Sequence, residues 1–273
     1  MDIEPLTLRP FGDTGIMLSP LGLGTVKLGR NHGVKYPQSF DIPDDRAARG
    51  LLDQARSLGI NLIDTAPAYG HSEQRLGQLL KNQRQHWVIC SKVGEEYDGA
   101  HSHFDFSAKH TRASVQRSLT RLDCDYIDIV LVHSDGRDLE IIEQEEVMQT
   151  LAQLKQEGTI GAYGMSSKSV AGGLAAAQCG DAVMASYNLG YQDEAPVIDF
   201  CYRHRRGLLV KKALASGHLA AAGADPVQQS MDLIFAQPGV SSAVVGTINP
   251  DHLRANVAAA QRSLARFQGA TQD

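Results

Sequence analysis

Three observations predict an α/β fold, a single-domain (β/α)8 or TIM barrel over residues 1–273. Short apolar, β-branched runs alternate with longer amphipathic segments, the pattern of repeated βα units around a parallel sheet. The runs number eight, and 273 residues is close to what one such barrel takes. An open doubly wound sheet is the rival, and its dinucleotide fingerprint would read G-x-G-x-x-G at the opening of a helix. Gly22-Leu23-Gly24-Thr25-Val26-Lys27 stops short of it, and the Gly-, Pro- and polar-rich stretch that follows predicts no helix there.

In chain order the predicted strands are Leu18–Leu23, Asn61–Thr65, Trp87–Lys92, Tyr126–His133, Ile160–Ser166, Ala182–Asn188, Gly207–Ala213 and Ser242–Gly246. The predicted helices between and after them are Asp44–Leu58, Ser72–Leu80, Lys109–Leu122, Val147–Gln156, Ser169–Ala177, Ala195–His204, Pro226–Ala236 and Pro250–Ala265. Ser72, Ser169 and Pro250 supply N-terminal cap or first-turn signals, and Gly59 and Gly158 supply stops. No Pro/Gly/Ser linker splits the chain.

Hydrophobic residues at 42% and charged residues at 21% suit a chain with one sizeable core. A net charge of −5 and a pI near 6.0 supply no basic field for nucleic acid or anionic lipid. Cys90, Cys124, Cys179 and Cys201 are widely spaced with no C-x-x-C, which argues against zinc and against a disulfide scaffold. The N-terminus lacks a signal-peptide pattern, and no run approaches ~20 apolar residues, so the expected location is cytoplasmic. His101 and His103 form an H-x-H with no third ligand, and no metal is assigned.

In a barrel of this kind the active site lies at the C-terminal strand ends. The second predicted strand ends in Asp64 and runs into a loop carrying Tyr69; the third ends in Lys92 and the fourth in His133. Each alone has a bland reading as a turn carboxylate, a loop aromatic, a solvated lysine or a satisfied histidine. Together they form a general acid with help. A phenol of pKa ~10 needs roughly 4 kcal/mol to titrate ~3 units lower, and a nearby Lys92 is expected to supply much of it, with Asp64 holding Lys92 and His133 bonding the substrate oxygen. None of the four is an evident nucleophile toward carbon, so the electrons are expected from a nicotinamide hydride.

The runs LIDTAPAYGHSEQRLGQLL, ICSKVG, SLTRLDCDYIDIVLVH and LKQEGTIGAYGMSS, in that order, resemble the aldo-keto reductase family, a likeness running from about Leu18 to Ala260. The resemblance implies an NAD(P)-dependent carbonyl reductase or alcohol dehydrogenase on a small-molecule carbonyl or alcohol. Its tetrad maps onto Asp64, Tyr69, Lys92 and His133, with Tyr69 as acid in reduction and base in oxidation. The implied cofactor contacts are Gly24, Thr25 and Val26 near the first strand, Ser166 and Ser167 at the carboxamide, and Tyr187 after the sixth strand. Lys212, Ala213, Leu214, Ser216 and Gly217 follow the seventh strand, and Gly246, Thr247, Asn249, Arg254 and Asn256 the eighth.

The chain departs from the family pattern in places. Ser167 stands for a common Asn and Met184 for a common Gln, and Lys211-Lys212 occupies a position often Tyr or Ser. One of the two lysines, taken as Lys212, is expected at cofactor phosphate, since strand alternation turns only one inward. Gly246 and His252 fall where NADPH-preferring members carry cations, leaving Arg254; NADP is the expected cofactor, NAD the alternative. The loop from Gly29 to Pro43 is a candidate substrate flap, and the brevity of the other loops suggests an open site. Two other readings remain: a Schiff-base lyase or aldolase using Lys92 or Lys212, and a non-catalytic dinucleotide-binding subunit.

Overall fold

Eight parallel strands close into a ring in a computed structural model that describes residues 3–217 and 225–268. In chain order the barrel strands are β3 (Leu21–Gly24), β4 (Leu62–Asp64), β5 (Val88–Val93), β8 (Ile127–His133), β9 (Ile160–Ser166), β10 (Ala182–Ser186), β11 (Gly207–Lys211) and β12 (Ser242–Val245), each paired with its neighbours and β12 pairing back to β3. The remaining strands form two antiparallel hairpins, β1 (Arg9–Pro10) with β2 (Met17–Leu18) and β6 (Glu95–Tyr97) with β7 (Ser102–Phe104).

Eight helices match the eight predicted ones: α2 (Asp45–Ser57), α3 (Ser72–Leu79), α4 (Ala108–Leu122), α6 (Val147–Gln156), α7 (Val170–Cys179), α8 (Ala195–Arg203), α9 (Pro226–Phe235) and α10 (Pro250–Gln268). Asp44, Ser107, Ser169 and Asp225 each cap a helix by accepting a backbone N–H three residues on. Two further helices, α1 (Val26–Gly29) and α5 (Asp138–Gln144), were not expected. The first is a single turn opening directly after the first strand, where the glycine-rich stretch predicted none.

Strand parity decides what the barrel buries and what its mouth displays, because alternate side chains face opposite sides of a strand. Leu62, Cys90, Ile129, Leu131, Ala162, Ala182, Met184 and Leu209 fill the interior, with Phe11 and Leu18 of the first hairpin beneath them. Their alternates, Ile63, Ile89, Val130, Val132, Val183, Leu208 and Val210, pack outward under the helices. Continuing the inward set by two residues, or by four from Ala162, brings Asp64, Lys92, His133, Ser166, Ser186 and Lys211 to the C-terminal rim. The register holds them side by side: Lys92 opposite Leu131, His133 opposite Ser166, Ser186 opposite Lys211.

Several strands are shorter than predicted. The first starts at Leu21 because Pro20 has no N–H to give a ladder, and the seventh ends at Lys211 because Lys212 turns into the left-handed region at φ +54°. No described helix is long and apolar enough to cross a membrane.

Candidate active site

A cavity of about 1080 Å³ opens at the C-terminal rim. Asp64, Tyr69, Lys92 and His133 line one wall. Asp64 is fixed from behind, since Thr25 donates both its N–H and its hydroxyl to the Asp64 carbonyl, and Ser72 braces Thr25 in turn. Tyr69 closes the one-turn 3-10 segment Pro67–Tyr69. Gly70 follows at φ +62°, where a Cβ would strike the Gly29 carbonyl at 2.3 Å, so glycine is required to set the turn.

Lys92 and Asp64 form a buried ion pair, with side chains 1% and 5% exposed, and Lys92 Nζ also donates to the Thr65 carbonyl at 2.9 Å. Burial opposes the Lys92 charge, but Asp64 and Tyr69 outweigh it and raise its pKa above the ordinary lysine value. Tyr69 Oη lies 3.5 Å from Asp64 Oδ2, and its ring centroid is 5.1 Å from Lys92 Nζ.

The expected acidification of Tyr69 is not found. Burial raises the phenol above its ordinary range; Lys92 pulls it down and Asp64 pushes it up, and burial wins. Lys92 favours the phenolate but does not offset burial, so Tyr69 stays a protonated donor. His133 stands edge-on to Tyr69, with ring centroids 6.3 Å apart. Its Nδ1 lies 2.8 Å from Glu95 Oε2, a close charge contact rather than a well-aligned hydrogen bond. Burial lowers the imidazole pKa below the ordinary value against the pull of Glu95, while Lys92 and Lys211 add to the lowering.

The opposite wall is built differently. Lys211 Nζ donates to Ser166 Oγ at 2.9 Å and to the Ser167 carbonyl, and burial pushes its pKa down to about 8 despite Glu194 nearby. Glu194 is 1% exposed, and its Oε2 has no partner among the described residues. Asn188 donates to the Lys212 carbonyl at 3.1 Å, holding the turn after β11.

Of the residues assigned to cofactor from sequence, Gly24, Thr25, Val26, Ser166, Lys212, Ala213, Leu214, Ser216, Gly217, Gly246, Thr247 and Asn256 line this cavity. Four do not. Ser167 and Tyr187 have the outward parity: Ser167 is fully buried, and Tyr187 sits in the outer core with its hydroxyl accepting from Gln237 Nε2 at 3.1 Å. Asn249 is spent capping α10, accepting the Asp251 and His252 N–H groups, and Arg254 is exposed on that helix outside the lining. The inward-facing lysine is Lys211 rather than Lys212, which reaches the cavity from the turn beyond the strand.

Lys211, Ser186, Glu194 and His252 line the cavity without having been assigned, and counting parity back from the interior residues would have found the first two. The flap folds over the mouth. Lys27 stacks on Tyr36 and Phe40 at 4.2 and 4.9 Å, and a Cβ at Gly246 would meet the Tyr36 hydroxyl at 3.0 Å. The site is therefore roofed where an open one was expected.

The cavity suits an extended dinucleotide. Backbone rather than side chain lines it at Gly24, Gly217 and Gly246, an uncommitted Glu194 oxygen shares the wall with the half-buried Lys211, and the N-terminal turn of α10 borders its far end. The model of the aldo/keto reductase family matches residues 20–232. The chain belongs to the aldo-keto reductase family. Over 94% of its length this aldo-keto reductase is similar to a crystallised Pseudomonas aeruginosa protein provisionally assigned to the same family, with 59% identity, 95% of that chain covered and a TM-score of 0.86. The uncharacterised oxidoreductase YqkF of Bacillus subtilis is 26% identical over 92% of this chain and 90% of its own length. The NADH-specific methylglyoxal reductase of Escherichia coli is 34% identical over 58% of this chain and 51% of its own. A holo aldo-keto reductase from Bacillus halodurans shares the fold at 24% identity and a TM-score of 0.79, covering 97% of this chain and 96% of that one.

Proposed function

We propose that this aldo-keto reductase interconverts a small carbonyl compound and its alcohol, with Tyr69 as the proton donor in reduction and acceptor in oxidation. The observation that carries the reading is the convergence of Asp64, Tyr69, Lys92 and His133 on one cavity wall from three successive strand ends. A bound nicotinamide would supply the hydride. Tyr69 would give its proton to the substrate oxygen as that oxygen becomes an alkoxide. Lys92, cationic and pinned by Asp64, stabilises the phenolate left behind until solvent reprotonates it. A buried neutral phenol is the form that can give this proton.

NADP is the proposed cofactor, on family habit. NAD is favoured by one observation: the cavity end at α10 holds His252 and Asn256, while Arg254 lies outside it. The Schiff-base reading fares poorly at Lys92, whose ammonium is held charged and so carries no lone pair for a carbonyl.

Parallel fluorescence titrations with NADPH and NADH test the class and the cofactor together, and a panel of aldehydes, ketones and alcohols tests turnover. Tyr69→Phe is expected to leave dinucleotide affinity nearly intact and lower turnover by about 10²–10⁴-fold. Unchanged turnover sinks the role of Tyr69. Borohydride trapping of substrate without dinucleotide binding supports the lyase, and binding without turnover supports a non-catalytic subunit.

A further inference from the structure

We propose that residues 34–42, the tip of the flap, form a latch that sits in the groove an extended dinucleotide would cross, and that must lift before one can seat. The proposal rests on the reading of this cavity as a dinucleotide site.

The flap is pinned at both ends. At its root Arg30 donates from Nε to the His32 carbonyl at 2.9 Å, from Nη1 to the Ala68 carbonyl at 2.9 Å and from Nη2 to the Gly33 carbonyl at 3.2 Å. The same guanidinium lies 3.6 Å from the centre of the Tyr97 ring, and Gly33 then turns at φ +62°. At the far end Arg75 Nη2 donates to the Pro43 carbonyl at 2.7 Å, and Asp44 caps α2. Between these pins, residues 34–42 make no hydrogen bond among the described residues. Softer contacts hold them. Tyr36 and Phe40 meet edge to face at 5.5 Å, and Lys27 Nζ stands 4.2 and 4.9 Å from their ring centres. A segment with fixed ends and no hydrogen bonds of its own can open locally without disturbing the barrel.

The tip rests where the cavity presents bare backbone. A Cβ built on Gly246 would come 3.0 Å from the Tyr36 hydroxyl, and one built on Gly217 would come 3.5 Å from Pro37 Cδ. A ligand atom is not bonded to Gly246, so it must stand farther from that backbone than a Cβ does, at ~3.5 Å or more. The Tyr36 oxygen already fills that layer. A dinucleotide laid across Gly217 and Gly246 therefore displaces Tyr36 and Pro37.

The clamp carries its own release. Lys27 also lines the cavity. An ammonium bonds a phosphate oxygen more strongly than it holds the face of an aromatic ring. An incoming pyrophosphate would draw Lys27 off Tyr36 and Phe40, so ligand and latch compete for one cation.

Stopped-flow mixing of the cofactor-free chain with NADPH, read by nicotinamide fluorescence, tests the latch. Opening that precedes entry makes the wild-type rate level off as NADPH concentration rises. Contacts of this strength leave roughly one chain in ten open, so Tyr36→Ala should bind NADPH about tenfold more tightly, at a rate linear in concentration. Phe40→Ala, which loosens the clamp from outside the cavity lining, should move both readouts the same way by less. A wild-type rate that stays linear, or an affinity that Tyr36→Ala leaves unchanged or weakens, overturns the latch while the dinucleotide reading stands. If neither the wild type nor Tyr36→Ala takes up NADPH or NADH, the dinucleotide reading fails and the latch falls with it.

Discussion

From β4 to β8 the ionisable groups of the barrel mouth stand at contact distance from a partner, Lys92 with Asp64 and Glu95 with His133. From β9 to β12 they do not. Lys211 leans on a serine hydroxyl and a backbone carbonyl, and the outer oxygen of Glu194 has no partner among the described residues. In the first wall the Lys92 ammonium and the Asp64 carboxylate are satisfied within the protein. The second holds donors and an acceptor that a bound polar ligand would satisfy, as expected of a wall that grips something rather than transforms it.

The largest break in this comparison comes from cutting the matched wall. Lys92→Met leaves the Asp64 carboxylate buried with no cation, which should cost about 3–5 kcal/mol of stability. In a chain of this size that lowers Tm by roughly 10 °C. Turnover should fall with it, since the phenolate loses its nearby cation. Thermal unfolding monitored by circular dichroism decides the point, and Asp64→Asn combined with Lys92→Met should recover part of the loss. A single variant within about 1 kcal/mol of the parent would mean the wall is not held by this pair.

The same contrast explains what was legible in the sequence. The matched wall was readable because its residues stand at the ends of apolar runs whose boundaries hydrophobicity marks plainly, as in NLIDTA and YIDIVLVH. The gripping wall depends on turns beyond those ends, where pattern gives way to backbone geometry. Parity from Leu209 points to Lys211 rather than the expected Lys212, and the parity of Tyr187 and Ser167 is outward, away from the expected cofactor. Glu95 was missed for another reason. Its segment is polar, and the signal it does carry is Asp98-Gly99 between alternating residues, which marks a hairpin. The roof formed by Tyr36 was not readable at all, because no local pattern says how far a loop of mixed composition reaches across a barrel.

An intermediate effect should come from the unmatched wall. Lys211 loses its proton as pH rises through about 8, so an ammonium that grips ligand is present at pH 7 and largely gone at pH 9. Wild-type affinity for NADPH should therefore fall over that interval. Lys211→Met should bind about tenfold more weakly at pH 7 and show a flat profile, a loss of about 1.4 kcal/mol. Fluorescence titration at four or five pH values reads both. A wild-type affinity independent of pH would place Lys211 outside the binding machinery.

The smallest effect tests where this wall ends. Arg254 is the nearby fixed cation that the sequence offers for a 2′-phosphate, but it stands exposed one residue before Ala255 and two before Asn256, both of which line the cavity. Position on a helix sets direction at about 100° per residue, so the two-residue offset turns the guanidinium well away from the face that Asn256 presents. An exposed arginine in high dielectric contributes little beyond a screened attraction. Arg254→Ala should accordingly change NADPH and NADH affinities by no more than about twofold, whereas His252→Ala, which alters the lining itself, should shift the ratio between them. Should Arg254→Ala weaken NADPH alone by tenfold or more, the side chain must swing inward when ligand arrives. The gripping wall would then include a residue that the free chain keeps outside it.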